Sequence, residues 1–456
     1  MEAYFALREK YPVFRFLSYD MTETKTALDI TYHFEIEGLS AFHPHWSFPK
    51  SDRLPLCENT DTLREMVFSL GMVELVSYWK ITCSPRVEVL AGALDANQVA
   101  WWKRLYFHGL GEFFYRNGIA PDADDFMQMI SLGERTPRTV PDTTAFSGCL
   151  VPVGGGKDSV VTLELLREQR DSNYCYIINP RGATRATAEQ AGYPPEHILT
   201  AARTLDPAML ECNRQGFLNG HTPFSAIVAF SGLITAYLHR LRYIVLSNES
   251  SANESTVAGS TVNHQYSKSY AFERDFQQYQ TRYIGTDILY FSLLRPLSEY
   301  QIAALFANMQ AYHRIFRSCN VGSKQDVWCG HCPKCLFVFL ILSPFLPHDY
   351  LCDIFGRDMT EDETLLTVFE QLVGILPEKP FECVGSRQEV NTAVARTVCR
   401  MEAEHEPLPL LFRYYRSTPL FEQYAAAPDV YATHFDEENL LPPAFRELVY
   451  EKSIGR

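Results

Sequence analysis

The sequence predicts an α/β fold, in which a parallel sheet is covered by crossover helices. Apolar runs rich in β-branched residues alternate with helical stretches between residues 149 and 246, a pattern typical of parallel β/α units. A glycine-rich turn separates the first of these strands from the helix after it. The region before this core is strand-rich and then helical, and the region after it has mostly helical periodicity. We therefore predict a parallel-sheet core between an N-terminal α+β region and a mostly helical C-terminal region.

The length of the chain predicts more than one domain. A chain of 456 residues is longer than a single core usually grows, and its 46% hydrophobic and 21% charged residues are typical of globular proteins. Two prolines bound a predicted linker at residues 137–141, and Ser343-Pro344 ends an apolar helical run. We expect domains at residues 1–140, 141–343 and 344–456.

The N-terminal region has both strand and helix patterns. Ala27–Ile36 alternates polar and apolar residues and predicts a strand, and a second strand is expected at about residues 41–48. From Thr62 onward, apolar residues recur at helical spacing. A longer helical run covers about residues 95–115, where Glu112 is expected to be a surface acid on a packed helix. The region therefore predicts a small α+β unit.

The core contains three predicted strands and the helices between them. In chain order, we expect a strand at Cys149–Val153, a helix at Ser159–Glu168, a strand at Tyr174–Ile178, a helix at Ser225–His239 and a strand at Tyr243–Leu246. Ligands bind at the carboxyl ends of such strands, so the three strand ends should face one crevice. Ser247, Asn248 and Glu249 follow the last strand, where they are suited to bind Mg²⁺ or a nucleotide, or alternatively to cap a helix.

The turn after the first core strand has the composition of a phosphate-binding loop. It consists of Gly154, Gly155, Gly156, Lys157, Asp158 and Ser159. Three glycines let the backbone direct its N–H groups at a phosphate, and the helix N-terminus beyond them adds partial positive charge. Lys157 is placed to contact a phosphate oxygen, and Asp158 to cap the helix or help hold Mg²⁺. The spacing is not that of a Walker A loop. The loop nevertheless favours an ATP site over the alternative, a glycine turn that binds no ligand.

Four cysteines near the end of the core have the spacing of a metal site. Cys319, Cys329, Cys332 and Cys335 form a C-x9-C-x2-C-x2-C pattern, which we call the cysteine knuckle. Thiolates at such short spacings can converge on one tetrahedral ion, and four sulfurs are typical of structural zinc. An iron–sulfur cluster and four unconnected thiols are the alternatives. Since no redox-partner motif accompanies the cysteines, the sequence favours Zn²⁺.

Charge and hydropathy restrict the partners that the chain can have. A formal net charge of −14 and an isoelectric point near 5.4 argue against RNA or DNA, including a tRNA-modifying function, because nucleic-acid binding relies on basic surfaces. No stretch approaches the roughly 18 apolar residues of a spanning helix, and residues 1–10 lack an apolar signal region. We expect a cytoplasmic protein that acts on a small molecule, with no membrane partner; composition leaves its oligomeric state open.

The glycine loop and the cysteine knuckle resemble features of known enzymes. The loop is similar to the Ser-Gly-Gly-x-Asp-Ser loop of the PP-loop ATP pyrophosphatases, except that Gly154 stands where those proteins usually have Ser. Together with the knuckle, it resembles the 7-cyano-7-deazaguanine synthases, which activate a carboxylate with ATP. This resemblance implies one alternative function, an ATP-dependent synthetase or ligase in which an amine intercepts the activated carboxylate.

More of the chain resembles the MurL-type UDP-N-acetyl-α-D-muramoyl-L-alanyl-L-glutamate epimerases of peptidoglycan synthesis. Besides the loop and the knuckle, the segments behind this resemblance are Leu110-Gly111-Glu112-Phe113, Gly220-His221-Thr222-Pro223, Ser247–Asn253, Asn263–Ser269 and Lys379–Gly385. The Asn-His-Gln-Tyr-Ser-Lys run is the most specific of them. The resemblance covers nearly the whole chain and implies a PP-loop ATP pyrophosphatase core with a UDP-linked muramoyl dipeptide as substrate.

The resemblance also implies a reaction and roles for several residues. ATP would activate the α-carboxylate of the terminal L-glutamate as an acyl-adenylate, and the α-proton would be removed and returned on the other face before hydrolysis. Residues 154–159 would hold ATP with Mg²⁺. His221, His264 and Cys383 are candidate bases, although a lone cysteine also fits a small buried side chain. Lys268 is expected to bind phosphates or carboxylates of the substrate.

Overall fold

The computed structural model confirms the α/β fold and describes residues 2–51, 60–134, 146–253, 266–319 and 321–454. The chain divides into two units, each built from separate stretches of sequence. The first unit consists of Met1–Leu150, Leu199–Ile244 and Gln265–Tyr290, and the second of Val151–Ile198, Val245–His264 and Phe291–Arg456. The division into residues 1–140, 141–343 and 344–456 follows the chain continuously and remains a prediction about domains.

Eleven strands lie in the described residues. They are β1 (Val13–Glu23), β2 (Ala27–Ile36), β3 (Ser40–Phe42), β4 (His45–Pro49), β5 (Arg86–Val89), β6 (Gln128–Ser131), β7 (Cys149–Pro152), β8 (Tyr174–Ile178), β9 (Ile198–Thr204), β10 (Tyr243–Leu246) and β11 (Leu289–Ser292). The strands predicted at 27–36, 174–178 and 243–246 match β2, β8 and β10. The strand predicted at 41–48 is instead two short strands, because Pro44 lacks the N–H that a continuous ladder needs.

Helices lie in each predicted helical stretch and also elsewhere in the described residues. They are α1 (Glu2–Lys10), α2 (Thr60–Trp79), α3 (Ala96–Gly109), α4 (Gly111–Arg116), α5 (Lys157–Leu165), α6 (Gly182–Gln190), α7 (Pro207–Arg214), α8 (Phe224–Leu238), α9 (Tyr270–Tyr279), α10 (Glu299–Ala307), α11 (Pro333–Leu342), α12 (His348–Phe355), α13 (Leu366–Val373), α14 (Arg387–Ala403), α15 (Leu410–Arg416), α16 (Pro419–Ala425) and α17 (Pro443–Ser453). Among positions 344–454, which are all described, helices are the only regular elements apart from short 3₁₀ turns. Within the described ranges, no helix has the length and apolarity needed to cross a membrane.

The first unit contains a mixed sheet with a buried face. β2 pairs antiparallel with β1 and with β4, β1 is parallel to β5, and β5 is parallel to β6. β9 pairs antiparallel with β4, where Thr204 lies opposite His45. Every second residue of β2 from Leu28 to Ile36 is fully buried, as the period-2 geometry of a strand requires. Because α2 contacts both β2 and α8, the sheet and these helices share one core.

A buried ion pair links α2 to β9 inside this core. The carboxylate of Glu74, which is fully buried, accepts two hydrogen bonds of 2.6 and 2.9 Å from the guanidinium of Arg203. Trp46 Nε1 donates to the same carboxylate at 3.3 Å, and the Arg203 guanidinium carbon lies 5.9 Å from the Trp46 ring centroid. The pair is tolerated in the apolar interior because each charge has several partners.

The strands of the predicted core lie in the order β11, β10, β7 and β8. β10 is parallel to β7, with Tyr243 opposite Cys149. The segments that follow the carboxyl ends of all four strands belong to the second unit. The glycine turn, Glu249 and the segment after β11 are therefore parts of one unit, as expected for strand ends that line one site.

Helices of the second unit bring their first turns to this region. α10 contacts α5, α11 and α14, and α11 contributes a fully buried apolar run, Leu336–Leu342, as the sequence predicts. α14 begins with a capping box formed by Ser386 and Glu389. The first turns of α5, α10 and α14 thus each contain an acidic residue, namely Asp158, Glu299 and Glu389.

Candidate active site

The glycine turn joins β7 to α5. Gly155 has a φ of +79°, and a Cβ at this position would lie 3.0 Å from Thr184 N, so both the backbone conformation and the close approach require glycine. A Cβ at Gly154 would meet no atom of the described structure within 4 Å. The N-cap of α5 is Gly156, and no described side chain caps the helix. The N–H groups of its first turn are therefore suited to bind an anion.

Lys157 is buried and forms ion pairs with two carboxylates. Its Nζ is paired with Asp158 and with Glu299, the first residue of α10. Burial lowers the pKa of Lys157, but these carboxylates raise it by more, so the ammonium group stays charged. Lys157 thus holds two acidic side chains at the start of α5, and its contact with a phosphate remains a prediction.

Three carboxylates converge beside the glycine turn. One oxygen from each of Asp158, Glu249 and Glu299 lies within 4.8 Å of the other two, and we call this group the carboxylate cluster. Glu249 and Glu299 are buried, whereas Asp158 is partly exposed. Carboxylate oxygens are the ligands that Mg²⁺ prefers. The donor atoms of the cluster therefore fit a magnesium ion.

The negative charges of the carboxylate cluster are only partly balanced by Lys157. Burial raises the pKa of Glu299; Lys157 counteracts this effect, but Asp158 and Glu249 add to it, and the resulting pKa is about 8. The carboxylate of Glu389 accepts the N–H of Glu299 at 2.6 Å, and burial raises its pKa as well. Neighbouring buried acids with raised pKa values indicate a site that a bound cation would stabilise.

Glu249 is positioned through its backbone. Arg295, which is fully buried, donates from Nη1 to the Glu249 carbonyl at 2.6 Å. Asn248 Nδ2 donates to Ser292 Oγ at the end of β11 at 3.0 Å. Ser247 Oγ is buried and has no hydrogen-bond partner in the described part of the chain. Of the predicted trio, Glu249 therefore contributes a carboxylate to the cluster and Asn248 ties the strand end to β11.

The Cys383 segment lies next to the carboxylate cluster. Lys334, inside the cysteine knuckle, donates from Nζ to the Cys383 carbonyl. A Cβ at Gly385 would lie 2.9 Å from a Glu389 carboxylate oxygen and 3.2 Å from Glu299 Cγ, so this glycine packs directly on the acidic side chains. Lys334 also lowers the pKa of Glu299 against the larger effect of burial. The structure thus places the segment of Cys383 against the cluster, through contacts that the sequence alone did not reveal.

The cysteine knuckle brings its four thiols together. The Sγ atoms of Cys319 and Cys332 are 3.9 Å apart, those of Cys329 and Cys335 are 3.7 Å apart, and those of Cys332 and Cys335 are 3.5 Å apart. Four sulfurs bound to one tetrahedral zinc would be separated by about 3.8 Å, given a Zn–S bond of about 2.3 Å. The backbone N–H of Gly322 donates to Cys319 Sγ at 3.1 Å. The four thiols therefore form a possible metal site whose donors fit structural zinc.

Three further residues singled out by the sequence, Glu112, His221 and Lys268, belong to the first unit. His221 Nδ1 lies 3.6 Å from Glu112 Oε2, and Glu112 also pairs with Arg116 at 2.5 Å. The prediction that Glu112 is a surface acid is wrong, because its side chain is buried and turned toward these two partners. Lys268 ends a short 3₁₀ turn that precedes α9. His264 lies outside the described residues.

The fold and the site together define an α/β enzyme with a glycine turn, a carboxylate cluster and a four-thiol knuckle. The model of the MurL N-terminal domain matches residues 6–293, and that of the MurL C-terminal domain matches residues 314–419. The chain belongs to the MurL family of epimerases.

Relatives with an assigned name support this membership. A protein of Xanthomonas oryzae pv. oryzae is 37% identical over 352 residues, which cover 75% of this chain and 77% of that relative. A protein of Micromonospora sp. is 35% identical over 418 residues, covering 90% and 92%, and one of Salinispora tropica is 37% identical over 365 residues, covering 79% of each. All three are named UDP-N-acetyl-alpha-D-muramoyl-L-alanyl-L-glutamate epimerase.

Proposed function

We propose that this chain is an ATP-dependent epimerase that converts the terminal L-glutamate of UDP-N-acetylmuramoyl-L-alanyl-L-glutamate to D-glutamate in peptidoglycan synthesis. The observation that carries the proposal is the carboxylate cluster beside an uncapped glycine turn, in a member of the MurL family. The substrate is a soluble nucleotide precursor, so we place the reaction in the cytoplasm and invoke neither a nucleic acid nor a membrane as partner.

A carboxylate is a poor substrate for α-proton removal. A second negative charge would have to build up next to the existing one, which makes the carbanion unfavourable. Conversion to an acyl-adenylate removes the first charge and releases pyrophosphate. A modest base can then remove the α-proton, and its return on the opposite face followed by hydrolysis gives the D-glutamyl product and AMP. This chemistry explains why an epimerase would use ATP.

The second unit contains groups that suit ATP and Mg²⁺. The N–H groups at the start of α5 would bind phosphate oxygens of the nucleotide. Asp158, Glu249 and Glu299 would hold Mg²⁺, and the ion would neutralise part of the phosphate charge. Lys157 keeps Asp158 and Glu299 in place. Because it follows the three glycines directly, its ammonium group would contact a phosphate if a bound nucleotide replaced one of these two partners. In this proposal the core works as a PP-loop ATP pyrophosphatase.

The proton-transfer groups are proposed from geometry and chemistry. A buried carboxylate next to an imidazole is the usual way to orient a general base, so Glu112 favours His221 for this role. Cys383, His264 and Lys268 remain further candidates, of which Cys383 lies in the segment that packs on the carboxylate cluster. The cysteine knuckle would bind Zn²⁺ as a structural ion, since four sulfurs leave no open position for a substrate.

Incubation of the purified chain with the muramoyl dipeptide tests the proposal. With ATP and Mg²⁺, D-glutamate should appear after acid hydrolysis, together with AMP and pyrophosphate. Samples without ATP, or with a non-hydrolysable α,β-analogue, should retain only L-glutamate. Formation of ADP and phosphate instead of AMP, or epimerisation without any nucleotide, would refute the adenylate route.

A further inference from the structure

A second group of metal-binding side chains lies in the helical part of the second unit. His348 is the first residue of α12, Cys352 lies one helical turn later, and Asp358 follows the end of the helix. The helix ends at Gly356, whose φ of +77° belongs to the left-handed region that favours glycine. This reversal of the chain returns Asp358 to the start of α12, where it meets the histidine.

The donor atoms of these residues are close enough to share one ion. His348 Nε2 lies 2.8 Å from Asp358 Oδ2 and 3.6 Å from Cys352 Sγ, and one ligand atom from each residue lies within 4.8 Å of the other two. In a tetrahedral zinc site, bonds of about 2.0 to 2.3 Å separate nitrogen from sulfur by about 3.5 Å and nitrogen from oxygen by about 3.3 Å. The nitrogen–sulfur distance in the structure matches this geometry, and the nitrogen–oxygen distance is shorter by about 0.5 Å.

The carboxylate of Asp358 is held in place by Thr360. Asp358 Oδ1 accepts a hydrogen bond of 2.8 Å from Thr360 N and one of 2.6 Å from Thr360 Oγ1. Thr360 is fully buried, and its carbonyl accepts the N–H of Leu411. One carboxylate oxygen is thus anchored and the other is directed at His348. Such outer support is characteristic of carboxylates that bind metals.

The imidazole is restricted in a similar way. The ring of His348 packs near Phe339 and Phe412, with centroid distances of 5.8 and 6.5 Å. Its Nδ1 is buried and makes no hydrogen bond within the described residues, so all polar contacts of the ring are on the Nε2 side. The site consequently brings nitrogen, sulfur and oxygen donors within 4.8 Å of one another, with Asp358 and His348 held by their neighbours.

We propose that His348, Cys352 and Asp358 form a second metal site, which binds Zn²⁺ or a similar divalent transition metal. Thiolate and imidazole donors favour such metals over Mg²⁺ and Ca²⁺. Three protein ligands leave a fourth position, and the His348 and Asp358 side chains are 14% and 27% exposed, so solvent reaches the site and the metal can exchange. The site shares no residue with the cysteine knuckle or the carboxylate cluster.

Metal analysis of the full chain tests this site independently of enzyme activity. After incubation with ZnCl₂ and gel filtration, elemental analysis of the wild type should give about one equivalent more zinc than Cys352→Ser or His348→Asn. CoCl₂ is added to protein whose cysteine knuckle is already loaded with zinc, so that cobalt does not bind there. The wild type should then develop a thiolate-to-cobalt absorption band that Cys352→Ser lacks. Asp358→Asn should weaken cobalt binding at least about tenfold.

Cys399→Ser is the matched control, because Cys399 is another half-buried thiol of the second unit. This variant should bind as much metal as the wild type. Thermal unfolding of each variant, without added metal, checks that folding is intact; Asp358→Asn serves as the second probe if Cys352→Ser is unstable. Equal zinc and cobalt binding in the wild type, Cys352→Ser and Asp358→Asn would overturn the proposal.

Discussion

Lys157, in the first turn of α5, and Glu299, the first residue of α10, form a buried ion pair although 142 positions separate them in the sequence. The pair connects the glycine turn to the carboxylate cluster, so that nucleotide binding and metal binding would depend on each other. It also places two helix N-termini against one group of acidic side chains.

The carboxylate of Glu299 should be needed for cleavage of ATP to AMP. Substitution of Glu299 by Gln keeps the shape of the side chain but removes the negative charge of one proposed magnesium ligand, so we expect the rate of substrate-dependent AMP formation to fall by about 100-fold or more. A coupled AMP assay measures this rate. Glu438→Gln makes the same change at an exposed position of the second unit and should leave the rate within twofold. A rate for Glu299→Gln equal to that control would contradict the assigned role.

Magnesium binding should depend on pH. The pKa of Glu299 is raised to about 8, so below this pH the carboxyl group carries a proton that Mg²⁺ must displace. The affinity for Mg²⁺ should therefore rise with pH, by up to about tenfold per unit below pH 8, and level off above it. Calorimetric titrations at several pH values between 6 and 9 measure the effect. In Glu299→Gln the dependence of Mg²⁺ affinity on pH should become weaker. An unchanged dependence would show that Mg²⁺ displaces a proton from a group other than Glu299.

The ion pair between Glu74 and Arg203 should matter for stability. Replacement of Glu74 by Gln leaves the Arg203 guanidinium buried without its counter-charge, and we expect a loss of about 3 to 5 kcal/mol in the free energy of unfolding. Urea titration followed by tryptophan fluorescence gives this value. Glu211→Gln, which breaks an exposed pair with Arg214, should leave the free energy of unfolding nearly unchanged. Similar effects for both substitutions would show that burial of the pair is unimportant.

Glu112 and His221 should affect proton transfer more than ATP cleavage. If Glu112 orients His221 as a base, His221→Asn and Glu112→Gln should slow exchange of the glutamate α-proton by about 100-fold, with a much smaller effect on AMP formation. The two rates can be followed in parallel by proton NMR and an AMP assay. His45→Asn is a control in the same unit, because His45 is half exposed on β4. Retention of exchange in His221→Asn would move the base to Cys383 or His264.

The sequence predicted those parts of the fold that depend on local patterns. β2, β8 and β10 have continuous alternating or apolar runs, and their predicted bounds match the structure. β5 and β11 were not predicted. β11 lies within a longer, mostly apolar run, from Ile288 to Leu294, whose period does not distinguish a strand from a buried helix. Local patterns also could not predict which stretches form each of the two units, because each unit is assembled from stretches far apart in the chain.

The residues of the glycine turn and the carboxylate cluster were predictable only where they follow a strand. The glycine turn and Glu249 come directly after β7 and β10, a position that already indicates a ligand. Glu299 lies in the run Ser298-Glu299-Tyr300-Gln301, where it resembles an ordinary first-turn acid of a capped helix. Its approach to Lys157 results from the packing of α10 on α5, which no local pattern encodes.

The central claim is that ATP activates the glutamate carboxylate so that its α-proton can be exchanged. The most direct test is one incubation of the chain with UDP-N-acetylmuramoyl-L-alanyl-L-glutamate, ATP and Mg²⁺ in D₂O, followed by acid hydrolysis. We predict AMP and D-glutamate that carries deuterium at the α-carbon. AMP without deuterium at that carbon would instead indicate a ligase that lacks its acceptor, and would contradict the account.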